Sequence, residues 1–132
     1  MKKTLVRNGF IAAGVMNIGG VLLFSRVFTN DAIAEADPVV MSNFGLLMIV
    51  VWGLAYLGTA MAGTGIKWLA GAFAIEKFVY VVAWLLWLSN NNLGALYAKD
   101  FFAGMFFSIY GLNDLVFMLF FAWVCFSAPA EK

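Results

Sequence analysis

Apolar residues fall into four long stretches, about 9–28, 41–62, 68–88 and 101–126, with polar residues gathered in the short segments between them. About 20 apolar residues, rising about 1.5 Å each in a helix, match the roughly 30 Å hydrocarbon core of a bilayer. The pattern predicts an all-α integral membrane protein. It should be an antiparallel bundle of four transmembrane helices, with residues 1–132 forming a single membrane domain.

The boundaries come from residues that interrupt the pattern. Lys2, Lys3 and Arg7 give a basic start that also suits a signal peptide, and Ala34-Glu35-Ala36 imitates a small-residue cleavage site. The first stretch exceeds the roughly 7 to 15 residues of a signal's apolar region, so a retained first helix is expected. A polar link with Asp31, Glu35, Asp37 and Pro38 leads to the second helix, and Pro38 suits a helix start. Gly63-Thr64-Gly65 leaves room only for a tight turn, which makes the second and third helices antiparallel neighbours. In the third stretch an uncharged run begins only after Lys77. From Phe78 to the polar stop at Ser89-Asn90-Asn91-Asn92, however, a helix would reach about 16 Å, half of the core. A full span starts near Trp68 and carries Glu76 and Lys77 into the membrane.

Composition narrows the function classes. Hydrophobic residues make up 64% and charged residues 11%, against about 45–50% apolar residues in soluble domains. A net charge of +1 supplies no basic surface for nucleic acid. The chain has no histidine, which removes the usual metal ligand and general base, and its one cysteine, Cys125, forms no intrachain disulfide. No catalytic residue, metal ligand or cofactor is expected. Basic residues also orient the bundle: Lys2, Lys3, Arg7, Lys67 and Lys132 fall on one side, Arg26 and Lys99 on the other, with Lys77 between. The bias favours both termini in the cytoplasm.

A charge at the bilayer centre costs about 2.5 to 3.5 kcal/mol on insertion scales, so Glu76, Lys77 and Asp114 each need a partner or a task. Reading each helix from its ends places Asn17, Trp52 and Tyr56, then Glu76, Lys77 and Tyr80, then Asn113 and Asp114, at similar depths. Glu76, Tyr80, Trp84 and Trp87 share one helix face, and Tyr110, Asn113, Asp114, Phe117 and Phe121 share another. Both faces should turn inward, because lipid offers polar groups no partner. Adjacent Glu76 and Lys77 point about 100° apart, which favours a Lys77–Asp114 pair across the helix interface. Glu76 is then the surplus carboxyl, beside Tyr80, Asn17 or Asn113, neutral unless a cation arrives. Aromatic rings around it, from Trp52, Tyr56, Tyr80, Trp84 and Tyr110, can attract a cation or pack against a flat apolar molecule.

Structural roles compete for the same residues. Trp68, Trp87, Tyr97 and Trp123 fit an interfacial aromatic belt. Asn17 and Asn113 serve equally as interhelical glue, and Gly9, Ala13, Gly14, Gly19, Gly20, Gly53, Gly58 and Ala62 as close-packing positions. Cys125 is expected to be inert, and the Phe101, Phe102, Phe106 and Phe107 run to face lipid or fill the core.

The layout, four short-linked helices with a longer acidic first loop, resembles small bacterial DoxX-type membrane proteins, which implies a bacterial inner-membrane location. The intramembrane acid among aromatics is similar in chemistry to the four-helix multidrug transporters and to the sterol-isomerase and sigma-2-receptor group. Here the acid lies in the third helix rather than the first, and histidine is missing, so no residue roles carry over. The expected function is binding or transport of a cationic or amphipathic small molecule or lipid at Glu76, Lys77 and Asp114 with the surrounding Asn and aromatic side chains. Partners would be membrane lipids, such a ligand, and a second copy or another membrane protein. An accessory subunit is the alternative, and a lipid-modifying enzyme with Glu76 and Asp114 as acid and base ranks last.

Overall fold

A computed structural model describes residues 2–129, which form α1 (Lys3–Phe24), α2 (Asp31–Ala36), α3 (Asn43–Ala62), α4 (Ile66–Asn90), α5 (Leu93–Lys99) and α6 (Phe101–Ser127). α1, α3, α4 and α6 are long and apolar enough to cross a membrane. The chain is therefore an all-α membrane protein built on a four-helix bundle. Lys132, counted in the orientation bias, lies outside the described residues.

Short polar side chains start the helices. Ser42 Oγ accepts the Gly45 N–H at 3.1 Å, Asn92 Oδ1 that of Ala95 at 3.0 Å, and Asp100 Oδ1 that of Ala103 at 2.8 Å. Each answers an amide that a helix N-terminus leaves unpaired. Gly63 and Gly65, with φ of 74° and 68°, make the left-handed turn between α3 and α4. Lys67 donates to the Cys125 and Ala128 carbonyls, closing the C-terminus of α6 where a cation is favoured.

Several boundaries differ from the sequence pattern. α1 begins earlier than residue 9, because its basic first turn is helical, and it ends at Phe24 rather than 28. Arg26, Val27 and Phe28 have φ of 49°, 56° and 64°, a left-handed turn that no glycine relieves. Neighbours hold it: Ser25 Oγ accepts the Phe28 N–H at 2.9 Å, Asn30 donates to the Phe24 carbonyl at 3.0 Å, and Arg26 pairs with Asp100 at 3.1 Å. Desolvation opposes the charge on Asp100, but bonds from Ala103, Asn30 and Arg26 outweigh it and hold the carboxyl below its ordinary range. Pro38 does not start α3; it lies in the turn before the Ser42 cap. Ser89 and Asn90 bond back to the Leu86 carbonyl and stay within α4, so the polar stop acts at Asn91.

Two apolar clusters show the antiparallel arrangement. One joins Val6 and Phe10 of α1 to Ala60, Ala70, Phe121 and Val124, placing the starts of α1 and α4 beside the ends of α3 and α6. The other joins Val21 to Leu46, Trp87 and Phe107 at the opposite end, capped by Ile33 of α2 and Leu96 of α5. Lipid is as apolar as these side chains, so close packing rather than water exclusion holds the helices together. α1 packs tightly on α3, where a Cβ on Gly14 would lie 2.9 Å from the Gly53 carbonyl oxygen. α4 packs tightly on α6, where a Cβ on Gly111 would overlap the Trp84 ring. Gly19, Gly20 and Gly58 have no atom within 4 Å of such a Cβ and close no interface, contrary to expectation.

α3 and α4 are antiparallel as expected, but not closely packed. Their backbones approach at few positions, and bulky side chains span the seam: Trp52 and Tyr56 meet Phe73 edge-on at 6.1 and 4.9 Å between ring centroids. Around the bundle the order is α3, α1, α6, α4, with the loose seam between α4 and α3.

Candidate functional site

Between the two clusters lies a buried polar layer to which all four spanning helices contribute. Lys77, 1% exposed, donates from Nζ to Asp114 Oδ1 at 2.7 Å and to Asn17 Oδ1 at 2.9 Å. The expected Lys77–Asp114 ion pair is thus present. Asn17 passes the network on, its Nδ2 donating to the Ile49 carbonyl at 3.1 Å, and Asn113 donates to Asp114 Oδ1 at 3.3 Å. The Lys77 ammonium also lies 5.3 Å from the centroid of the fully buried Tyr56 ring. These bonds join α1, α4 and α6, which fixes how the three helices are rotated against one another.

Glu76 stands apart from that network. Its Oε2 accepts the Tyr56 hydroxyl at 2.7 Å, while Oε1 is buried with no hydrogen-bond partner among the described residues. The residue is 9% exposed. An unsatisfied buried carboxyl oxygen costs free energy whether the group is charged or neutral, and such an exception calls for an explanation. Glu76 also lines a cleft of about 440 Å³ in the loose α3–α4 seam. Trp52 and Met48 of α3 and Val79, Tyr80 and Ala83 of α4 form its walls, and its volume falls in the range of small-molecule sites, roughly 300 to 1,000 Å³.

The expected residues divide into three groups. Asn17, Lys77, Asn113 and Asp114 form the closed network. Glu76, Tyr56, Tyr80 and Trp52 border the cleft or anchor its acid, with Tyr56 rather than Tyr80, Asn17 or Asn113 as the partner of Glu76. Trp84 and Tyr110 belong to neither. Trp84 turns to α6, donating to the Phe107 carbonyl at 2.6 Å and meeting Tyr110 edge-on. Tyr110, its hydroxyl unpartnered, borders a crevice of about 60 Å³ on the α1–α6 side with Asn17, Asn113 and Asp114. Trp87, expected in an interfacial belt, is buried and donates to the Ala36 carbonyl at 2.9 Å, so it fastens α2 to the bundle.

Met48, Val79 and Ala83 were not expected at the site. Helical spacing held a signal for all three: Met48 precedes Trp52 by one turn, and Val79 and Ala83 follow Glu76 by about one turn and two. Among the described residues no cluster of three or more Cys, Asp or Glu side chains could hold a metal ion. No protein-family model, curated protein or solved structure matches the chain.

Proposed function

We propose that the chain binds or transports a cationic or amphipathic small molecule, with Glu76 as the group that receives its polar head. The observation that carries this reading is the unpartnered Glu76 Oε1 on a residue that lines the α3–α4 cleft. A head group able to donate a hydrogen bond or carry positive charge completes the shell that Tyr56 leaves half filled. Trp52 and Tyr80 supply π faces for the same ligand. Both termini face the cytoplasm in this reading, on the strength of the basic-residue bias, so the α2 and α5 end faces outward. A bacterial inner membrane is the proposed setting, by layout resemblance alone. Four helices are few for alternating access, so transport as opposed to binding calls for a dimer.

Proton and cation compete for one carboxylate, which gives the test. A cationic amphiphile should raise the thermal midpoint of the detergent-solubilised protein, less so as pH falls, and should not raise that of Glu76→Gln. Equal stabilisation of both proteins at two pH values would contradict the proposal.

A second reading, an accessory subunit of a membrane complex, draws support from Gly19 and Gly58, whose exposed faces stand open on the outside of α1 and α3 where a partner helix could approach. The acid–base enzyme reading has no comparable support, because Asp114 is tied to Lys77.

A further inference from the structure

Among the described residues the polar layer has no open route along the bundle axis. Below it, towards the start of α1, Phe10, Phe73 and Phe121 close around Tyr56, with ring centroids 4.9 to 6.2 Å apart. Above it, Trp87, Phe107 and Leu46 fill the centre under α2 and α5. The α3–α4 cleft reaches the layer from the side instead. Its walls are apolar apart from Glu76 and Tyr80, and its rim residues Val39, Phe44 and Val79 are 86%, 71% and 59% exposed on the outside of the bundle. Phe44 and Trp52, at successive levels of the α3 wall, are about 12 Å apart along the helix, so the cleft runs from one membrane surface to near the midplane.

We infer that the ligand of Glu76 enters sideways from the bilayer between α3 and α4, and that it is a lipophilic primary amine whose head lies in the cleft while its apolar body stays against lipid. The inference rests on the Glu76 reading and adds the route and the ligand class. A permanently charged or multiply polar head would have to shed its water at the apolar rim before it reached Glu76 or the Trp52 and Tyr80 rings. An amine can travel as the neutral base. At Glu76 the carboxyl O–H bond breaks as the new N–H bond forms, the proton passing to the amine lone pair, so the ion pair arises in place with no net charge carried in. The leaflet it comes from is the one facing α2 and α5, because the phenylalanine cluster occupies the other half.

The test uses the full chain in lipid nanodiscs with a long-chain primary amine carrying a diazirine in its tail, mapping photoadducts by mass spectrometry. Adducts should concentrate on Met48, Val79 and Ala83 and fall about tenfold or more in Glu76→Gln and in Val79→Trp, which blocks the rim. Leu112→Trp, on the lipid face of α6 and 55% exposed in the native residue, should leave them unchanged. The quaternary ammonium of the same chain length should label no better than background. All three variants are to match wild type in size-exclusion profile, and a labelling loss in Val79→Trp matched by a loss of folded protein is replaced by the same comparison at Ala83→Leu. Adducts spread evenly over Leu112, Val116 and Leu119, indifferent to the rim substitutions, would overturn the lateral route. If tetraethylammonium stabilises wild type but not Glu76→Gln while the amine labels diffusely, the route falls and the Glu76 reading stands. If Glu76→Gln alters neither, both fall.

Discussion

Asp114 and Glu76 share one layer of one bundle, at 7% and 9% exposure, and their surroundings differ in partners and in space. Asp114 has Lys77 at 2.7 Å and Asn113 at 3.3 Å, beside a crevice of about 60 Å³. Glu76 has one bond, from Tyr56, and a cleft of about 440 Å³. Burial is the same, so burial cannot separate an architectural acid from a receptive one. A fully buried carboxyl oxygen without a partner, on a residue that borders open space, can. The asymmetry follows from helix packing: glycines draw α1 to α3 and α4 to α6, and no such pair closes α3 on α4.

The largest effect should come from breaking the closed side. Removing one partner of a buried ion pair costs about 3 to 5 kcal/mol, because the other charge is left stranded. Lys77→Met and Asp114→Asn should each destabilise the protein by that order in detergent unfolding, and the double substitution should recover much of the loss. Strictly additive losses would mean that the pair does not act as a unit.

Overpacking the tight α4–α6 seam should come next. Gly111→Ala drives a Cβ into the Trp84 ring and should cost about 1 to 3 kcal/mol. Gly58→Ala, with open space around it, should be neutral or stabilising by up to about 1 kcal/mol, since alanine suits a helix interior better. Equal losses at the two sites would show that the helices are not arranged as described.

The open side should respond least. Glu76→Gln keeps the shape and removes an acid that no cation neutralises, so stability should stay within about 1 kcal/mol of wild type while ligand response disappears. A loss comparable to that of Asp114→Asn would erase the distinction between the two acids. Smallest of all is a pH effect at the left-handed turn. Because Asp100 is held below its ordinary range, its contribution is present above that range and is lost as pH falls through the depressed value. Amide-exchange protection of residues 26–30, corrected for intrinsic rates, should be unchanged between neutral pH and about pH 5 and should decline only in strong acid. Loss of protection already near pH 5 would contradict it.

Sequence pattern revealed the four spans because each is an apolar run of bilayer length, and depth along those runs brought the polar residues into one layer. The Lys77–Asp114 pair was legible because neither had another opposite charge at its level. The partner of Glu76 was not. Which face of α3 turns to α4 depends on the Gly14–Gly53 contact with α1, and a periodicity of 3.6 residues carries no information about that rotation. The direction of Trp84 was hidden for a related reason: the slot that accepts it is the missing side chain of Gly111, one helix away. α2 and α5, of 6 and 7 residues, are too short to show a period. The left-handed turn at Arg26, Val27 and Phe28 contains none of the residues that favour such a conformation.

Reaction with dicyclohexylcarbodiimide tests the central claim most directly, because this lipid-soluble reagent adds to a protonated carboxyl that it can reach and leaves a mass tag. Treatment of the protein in nanodiscs, followed by peptide mapping, compares Glu76 and Asp114 in one sample, with Glu76→Gln as control. The account predicts a tag on Glu76, suppressed by a cationic amphiphile, and none on Asp114, which Lys77 and Asn113 hold in a crevice too small for the reagent. Modification of Asp114 with Glu76 untouched, or equal modification of both, would contradict it.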